Sequence, residues 1–252
     1  MLILSILATT GAIFAPVGKW TVASHSTGCS LSRTFVQGDS NADLALTLDA
    51  SGAGKADVAL ERGDAKFLSG VGHITLGPDG PALTTDYFGS GNFSVAGRVS
   101  FIMRLSTDQM ALLTSSGKSA DSINIDAMNR KILLNTGVLF SALETLNKCR
   151  GLLLKSWDID PSEILPPPKL EREWFGGDDV FGTAGRALVT SETFAILSVN
   201  AAGETFRCRM IVVSRNSRFD KAACNALVAH ARFPVSTEPD AQRSSVVKLA
   251  AP

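Results

Sequence analysis

The chain has 252 residues, 45% of them hydrophobic and 19% charged, and 24 Lys and Arg balance 24 Asp and Glu. That much apolar material excludes a disordered chain and can bury a sizeable core. A net charge of zero without a run of like charge argues against a nucleic-acid protein, which presents a basic face or tail.

The first element is the uncharged stretch Leu2–Ala15, LILSILATTGAIFA. It is too short for a transmembrane helix, and no other stretch is long enough to cross a bilayer. It fits the apolar core of a secretory signal, with Ala12 and Ala15 as small residues near its end. No Lys or Arg precedes it, and Pro16 disfavours a cut after Ala15. We therefore read residues 1–16 as a signal-like segment that directs export to the periplasm or cell envelope. Cleavage, or retention as a membrane attachment, is left open. The alternatives are a buried N-terminal strand or a mis-assigned start.

Residues 17–157 form a β-rich domain. KWTVAS, CSLSRTF, DLALTL, DVALE, HITL, RVSFIMRL and SINIDA are short apolar or alternating runs separated by SGAGK, GPDG and GSGN. Leu44, Leu46 and Leu48 alternate with Ala45 and Thr47, the period of a half-buried strand. A sandwich or partly closed barrel is the expected packing. From Val138 the period changes. Leu139, Ala142, Leu143, Leu146, Cys149, Leu153 and Trp157 recur at steps of three and four, which predicts an amphipathic helix lying across the sheet.

Residues 158–170 contain Pro161 and the run Pro166–Pro168. They read as an extended linker or, alternatively, a rigid loop. Residues 171–252 form a second, smaller α+β domain. Its predicted elements are a strand over Phe194–Asn200, a turn at Asn200–Gly203 and a strand over Glu204–Ser214. A helix follows, with Ser217 as N-cap and Asp220 in a capping box, and then a last strand over Ser244–Ala250.

The four cysteines are Cys29, Cys149, Cys208 and Cys224. An even count in an exported chain points to disulfides. On the second strand Phe206, Cys208, Met210 and Val212 share a face opposite Arg207 and Arg209. On the helix Cys224, Leu227, Val228 and Ala231 share a stripe. Two apolar faces that cover each other and carry one cysteine each predict Cys208–Cys224, which leaves Cys29–Cys149 for the first domain. Free buried thiols are the alternative.

The stretch FAILSVNAAGETFRCRMIVVSRNSRFDKAACNALVAHARFP resembles the C-terminal domain of the TonB energy transducers. The matching positions are Ala202-Gly203, Phe219-Asp220, Ala222-Ala223 and Arg232-Phe233-Pro234, and the resemblance covers about residues 174–250. The family's Tyr-Pro ahead of the first strand is Val180-Phe181 here, and its Ser-Gly loop is Ser214-Arg215-Asn216-Ser217. The transducers' membrane helix and long Pro-rich spacer are replaced by the signal-like segment and the β-rich domain. The flanks KWTVASHSTGCSLSRTF and ALETLNKCRGLLLKSWDIDP are similar to the ends of a poorly characterised exported domain found ahead of TonB-like modules.

The resemblance implies a small antiparallel sheet with helices on one face that takes a partner's extended segment onto an edge. The implied partner is a protein, an outer-membrane transporter of the TonB-dependent kind. The predicted edge is the last strand, with Ser244, Ser245, Val246, Val247, Lys248 and Leu249 as the binding residues. The other reading is a structural or dimerising envelope protein.

Residues for catalysis, metals or cofactors are not predicted. His25, His73 and His230 are far apart, and HExxH, GxSxG and a complete P-loop do not occur. SGAGKAD lacks the first glycine and the hydroxyl residue of a phosphate cradle and reads as a turn. Ser115-Ser116-Gly117-Lys118 fits S-x-x-K but reads as a loop. Asp178-Asp179 reads as a solvated turn. Trp20, Trp157 and Trp174 read as core anchors, with an aromatic binding shelf as the alternative for Trp174.

Overall fold

The structure, a computed structural model, describes residues 12–61, 69–90, 98–170, 174, 192–214, 216–238 and 241–249. The class is α+β. The chain divides into two compact units, residues 1–49 with 53–149 and residues 50–52 with 150–252. The division falls inside a helix, at Cys149/Arg150, whereas the sequence expectation placed the linker at 158–170.

The first unit is a closed nine-stranded barrel. Its strands are β1 (Ala12–Ser24), β2 (Gly28–Gln37), β3 (Ser40–Asp49), β4 (Gly54–Glu61), β5 (Ser69–Leu76), β6 (Ala82–Ser90), β7 (Arg98–Leu105), β8 (Ser122–Ala127) and β9 (Arg130–Asn135). They run in the order β1-β2-β3-β4-β7-β6-β5-β8-β9. Closure comes from a parallel pairing of Ala12–Phe14 on β1 with Ile132–Leu134 on β9. Every other neighbour pair is antiparallel. The expected sandwich or partly closed barrel is thus a fully closed one, because the N-terminal strand is long enough to pair on both sides. Ala12 to Pro16, inside the signal-like segment, belong to β1, and Phe14 is buried.

Alternation fills this barrel. Leu44, Leu46 and Leu48 of β3 point inward with Leu31 and Phe35 of β2, Val58 of β4, and Phe101 and Met103 of β7. Each fully buried side chain of this size stabilises the fold by roughly 1.5–3 kcal/mol. Ser32, Asp43, Thr47 and Asp57 alternate outward. An apolar interior is the reverse of the polar lumen of the membrane-spanning barrel pattern. Among the described residues no helix is long and apolar enough to cross a membrane.

One element went unread. Thr107–Ser116 is a helix, α1, within the stretch expected to be all β. Ser115 and Ser116, expected in a loop, form its last residues, and Ser115 Oγ donates to Leu112 O at 3.0 Å. Only Met110 and Leu113 are buried on it, so the apolar period is short. Its signal was the capping box: Gln109 N–H donates to Ser106 Oγ at 3.2 Å, and Ser106 N–H donates to Gln109 Oε1 at 2.9 Å. The predicted amphipathic helix is α2 (Phe140–Ser156), with Leu143 and Leu146 buried in the barrel core. Cys149 on α2 is bonded to the buried Cys29 on β2, with Cα atoms 6.1 Å apart.

Among the described residues, the second unit is a four-stranded sheet with a helix packed on one face. Its strands are β10 (Ile164–Leu165), β11 (Thr193–Val199), β12 (Thr205–Val212) and β13 (Arg243–Leu249), in the order β10-β13-β11-β12. The β11–β12 hairpin turns at Gly203, whose φ of 80° suits glycine, and Gly203 N–H donates to Asn200 O at 3.0 Å. Helix α3 (Ser217–His230) buries Phe219, Ala223 and Leu227 against Ala195, Leu197, Val247 and Leu249. Its N-cap is Asn216, not Ser217, and the Asn216 carboxamide oxygen accepts from Arg218 N–H and Phe219 N–H. Asp220 reaches back to Ser214 N–H at 3.0 Å instead of closing a capping box. Cys208 and Cys224 are bonded, with Cα atoms 5.4 Å apart, and tie α3 to β12.

Candidate functional site

The residues expected to bind a partner lie on β13. Ser244 pairs with Ser198 of β11 and Leu249 with Thr193, in an unbroken antiparallel register. The side chains leave little to grip. Val247 and Leu249 pack under α3, Val246 packs on the opposite face with Phe194 and Ile196, and Ser245 is fully buried. Lys248 makes a 2.7 Å ion pair with Glu192. From Ser245 to Leu249, what β13 can offer a partner is therefore chiefly its main chain.

The outer side of that main chain is only partly taken. β10 pairs in parallel with β13 at two positions, Ile164 with Ser244 and Leu165 with Ser245. Ser245 Oγ donates to Pro166 O at 3.3 Å. Continuing this register would set Pro166, Pro167 and Pro168 against Val246, Val247 and Lys248. A proline has no N–H to give to a ladder, so the run ends β10. Among the described residues, no strand pairs with the outer side of Val246–Leu249. β10 itself was missed in the sequence, where Ile164-Leu165 ahead of the prolines was the available signal.

The other polar candidates have structural explanations. His25 bonds Ser30 Oγ at 2.9 Å and His73 bonds Thr84 Oγ1 at 3.1 Å. His230 stacks on Trp174 at 6.1 Å, and Trp174 is half-buried against the α3 core. The SGAGK segment is the β3–β4 turn, with Gly52 at φ 94°. Asp178 and Asp179 lie outside the described residues. Among the described residues no three His, Cys, Asp or Glu side chains are grouped to hold a metal.

A cavity of about 420 Å³ opens on the barrel wall where β1 shifts register between Val17 and Thr21. Arg33 is already tied there, donating to Thr136 O at 2.9 Å and Gly18 O at 2.6 Å and lying 5.6 Å from the Trp20 ring. Asp43 accepts from Thr34 Oγ1 at 2.6 Å. Asp57 lines the same cavity, and burial pushes its carboxyl above the usual carboxylate range against a smaller opposing pull from Lys55.

Comparison of the chain with family models, with curated proteins and with solved structures returns no match.

Proposed function

We propose that this chain is a non-enzymatic cell-envelope protein whose second unit takes an extended segment of a partner protein onto the outer edge of β13. The observation that carries this reading is the β13 edge, paired by β10 at Ser244 and Ser245 and then set against prolines. Strand addition draws its affinity from main-chain hydrogen bonds and asks little of particular side chains. That suits a strand on which Ser245, Val246, Val247 and Leu249 are buried. The succession β11–β12–α3–β13, an antiparallel sheet with a helix on one face, supports a TonB-like module, and an outer-membrane transporter is then the partner of choice. The two disulfides support an oxidising compartment such as the periplasm.

The alternative of a dimerising protein would use β12, the other end of the sheet. Antiparallel self-pairing of β12 centred on Cys208 would set Arg207 against Arg209 of the second copy. Like charges directly opposite are destabilising, so this reading is disfavoured.

The test starts with a pull-down from outer-membrane extracts using the full chain, oxidised. The captured transporter's N-terminal peptide is then titrated into isotope-labelled protein. New amide-exchange protection confined to Val246–Leu249 is expected. Val246→Pro is a poor probe, because Val246 is fully buried and also pairs with Ile196 on β11. Replacing Pro166–Pro168 by Val-Thr-Val is better. It lets the chain's own segment zip along β13, and peptide binding should weaken at least tenfold in a folded protein. Undiminished binding in that variant refutes the edge.

A further inference from the structure

We propose that the sheet face of the second unit turned away from α3 carries a binding pocket for a carboxylate. The inference goes beyond the edge-strand reading, because it concerns side chains on a face and does not depend on strand addition.

The pocket has a volume of about 400 Å³ and is lined by residues of β11, β12 and β13 and by Trp157–Ile159. Its floor follows from the register. Arg207 pairs with Ser198, and Ser198 pairs with Ser244, so one guanidinium and two hydroxyls form a row across three strands. Neighbouring strands lie about 4.8 Å apart, a spacing that lets one small ligand touch all three. Arg209 stands two residues along β12, on the same face and about 6.6 Å from Arg207. Two arginines therefore line one hollow.

Arg209 is held in place from outside the sheet. The end of α2 closes as a Schellman turn: Ile159 N–H donates to Leu154 O at 3.0 Å and Asp158 N–H to Lys155 O at 3.0 Å, with Ile159 and Leu154 buried in one cluster. Asp158 takes the left-handed position at φ 61° that glycine would occupy most cheaply. This turn leaves Trp157 O free to accept from Arg209 Nη2 at 3.0 Å. Arg207 has no hydrogen bond or ion pair among the described residues, and it lines the hollow. Like charges two residues apart on one face repel each other, and a bound anion would offset that repulsion.

The balance of charge selects the ligand class. Asp158 offsets one of the two arginines, leaving about one positive charge in the pocket. That suits a monoanion better than a phosphate dianion. The planar fork of arginine matches a carboxylate in bidentate fashion, and the two serine hydroxyls can donate to the same oxygens. The carboxylate comes either from a free small acid or from the C-terminus of a peptide.

The experiment titrates the labelled full chain with acetate, N-acetylglycylglycine, its C-terminal amide and inorganic phosphate, at constant ionic strength. Both carboxylates should give saturable shifts of the Arg207 and Arg209 side-chain N–H signals and of the Ser198 and Ser244 amides. The amide should give none. Arg207→Gln should weaken binding at least tenfold and Arg207→Lys less, with the spectrum elsewhere unchanged. Tighter binding of the peptide than of acetate assigns a chain terminus, and equal binding assigns a free acid. Equal shifts with the amide, tighter binding of phosphate, or full affinity in Arg207→Gln would overturn the proposal.

Discussion

Removing each disulfide in turn by paired Cys→Ala replacement should destabilise the two units unequally. Cys208 and Cys224 are 16 residues apart in sequence, and Cys29 and Cys149 are 120 apart. In the chain-entropy account the shorter closure restrains the unfolded chain by about 3 kcal/mol and the longer by about 5 kcal/mol. The fully buried Cys29 adds a packing loss when its sulfur is deleted. The barrel should therefore lose about 2 kcal/mol more from C29A/C149A than the sheet unit loses from C208A/C224A. Hydrogen exchange read peptide by peptide through a urea series reports each unit separately. In C208A/C224A the first protection to fall should be that of α3 and β12, since this bond joins them. An equal or larger loss from C208A/C224A would refute the loop-length reasoning and point to strain or unfolded-state structure as the controlling effect.

Three further outcomes are expected. Folding raises the carboxyl pKa of Asp57, so the stability linked to its protonated form is complete at low pH and is lost as pH rises through the raised value. Asp57→Asn should thus melt higher than the native chain at neutral pH, with the gap closing towards about pH 3; a gap that persists there would mean packing, not ionisation, is responsible. Asn216→Ala removes the acceptor for two N–H groups of α3 and should cost about 1 kcal/mol by denaturant unfolding, whereas Ser217→Ala should cost little. Gly203→Ala puts a side chain at positive φ and against Phe233 O, and should cost about 1–3 kcal/mol; an unchanged midpoint would show that the hairpin relaxes.

Periodicity alone determined much of this protein. Leu44, Leu46 and Leu48 declared a half-buried strand, and the three-and-four spacing from Leu139 to Trp157 declared α2. Cys208 and Cys224 lie on two apolar faces that have to meet, so their bond was legible in the sequence. These features are local, and their physical cause is the fixed repeat of strand and helix. What tertiary structure decided was everything set by pairing at a distance. Closure of the barrel depends on Ala12–Phe14 finding Ile132–Leu134, about 120 residues away, and no local pattern specifies that partner. α1 was hidden because two buried residues are too few to make a period. The partial covering of β13 depends on Ile164 and Leu165 docking before the prolines stop them. The pocket of Arg207, Arg209, Ser198 and Ser244 exists only because three strands fall into one register and the end of α2 presents a free carbonyl to it.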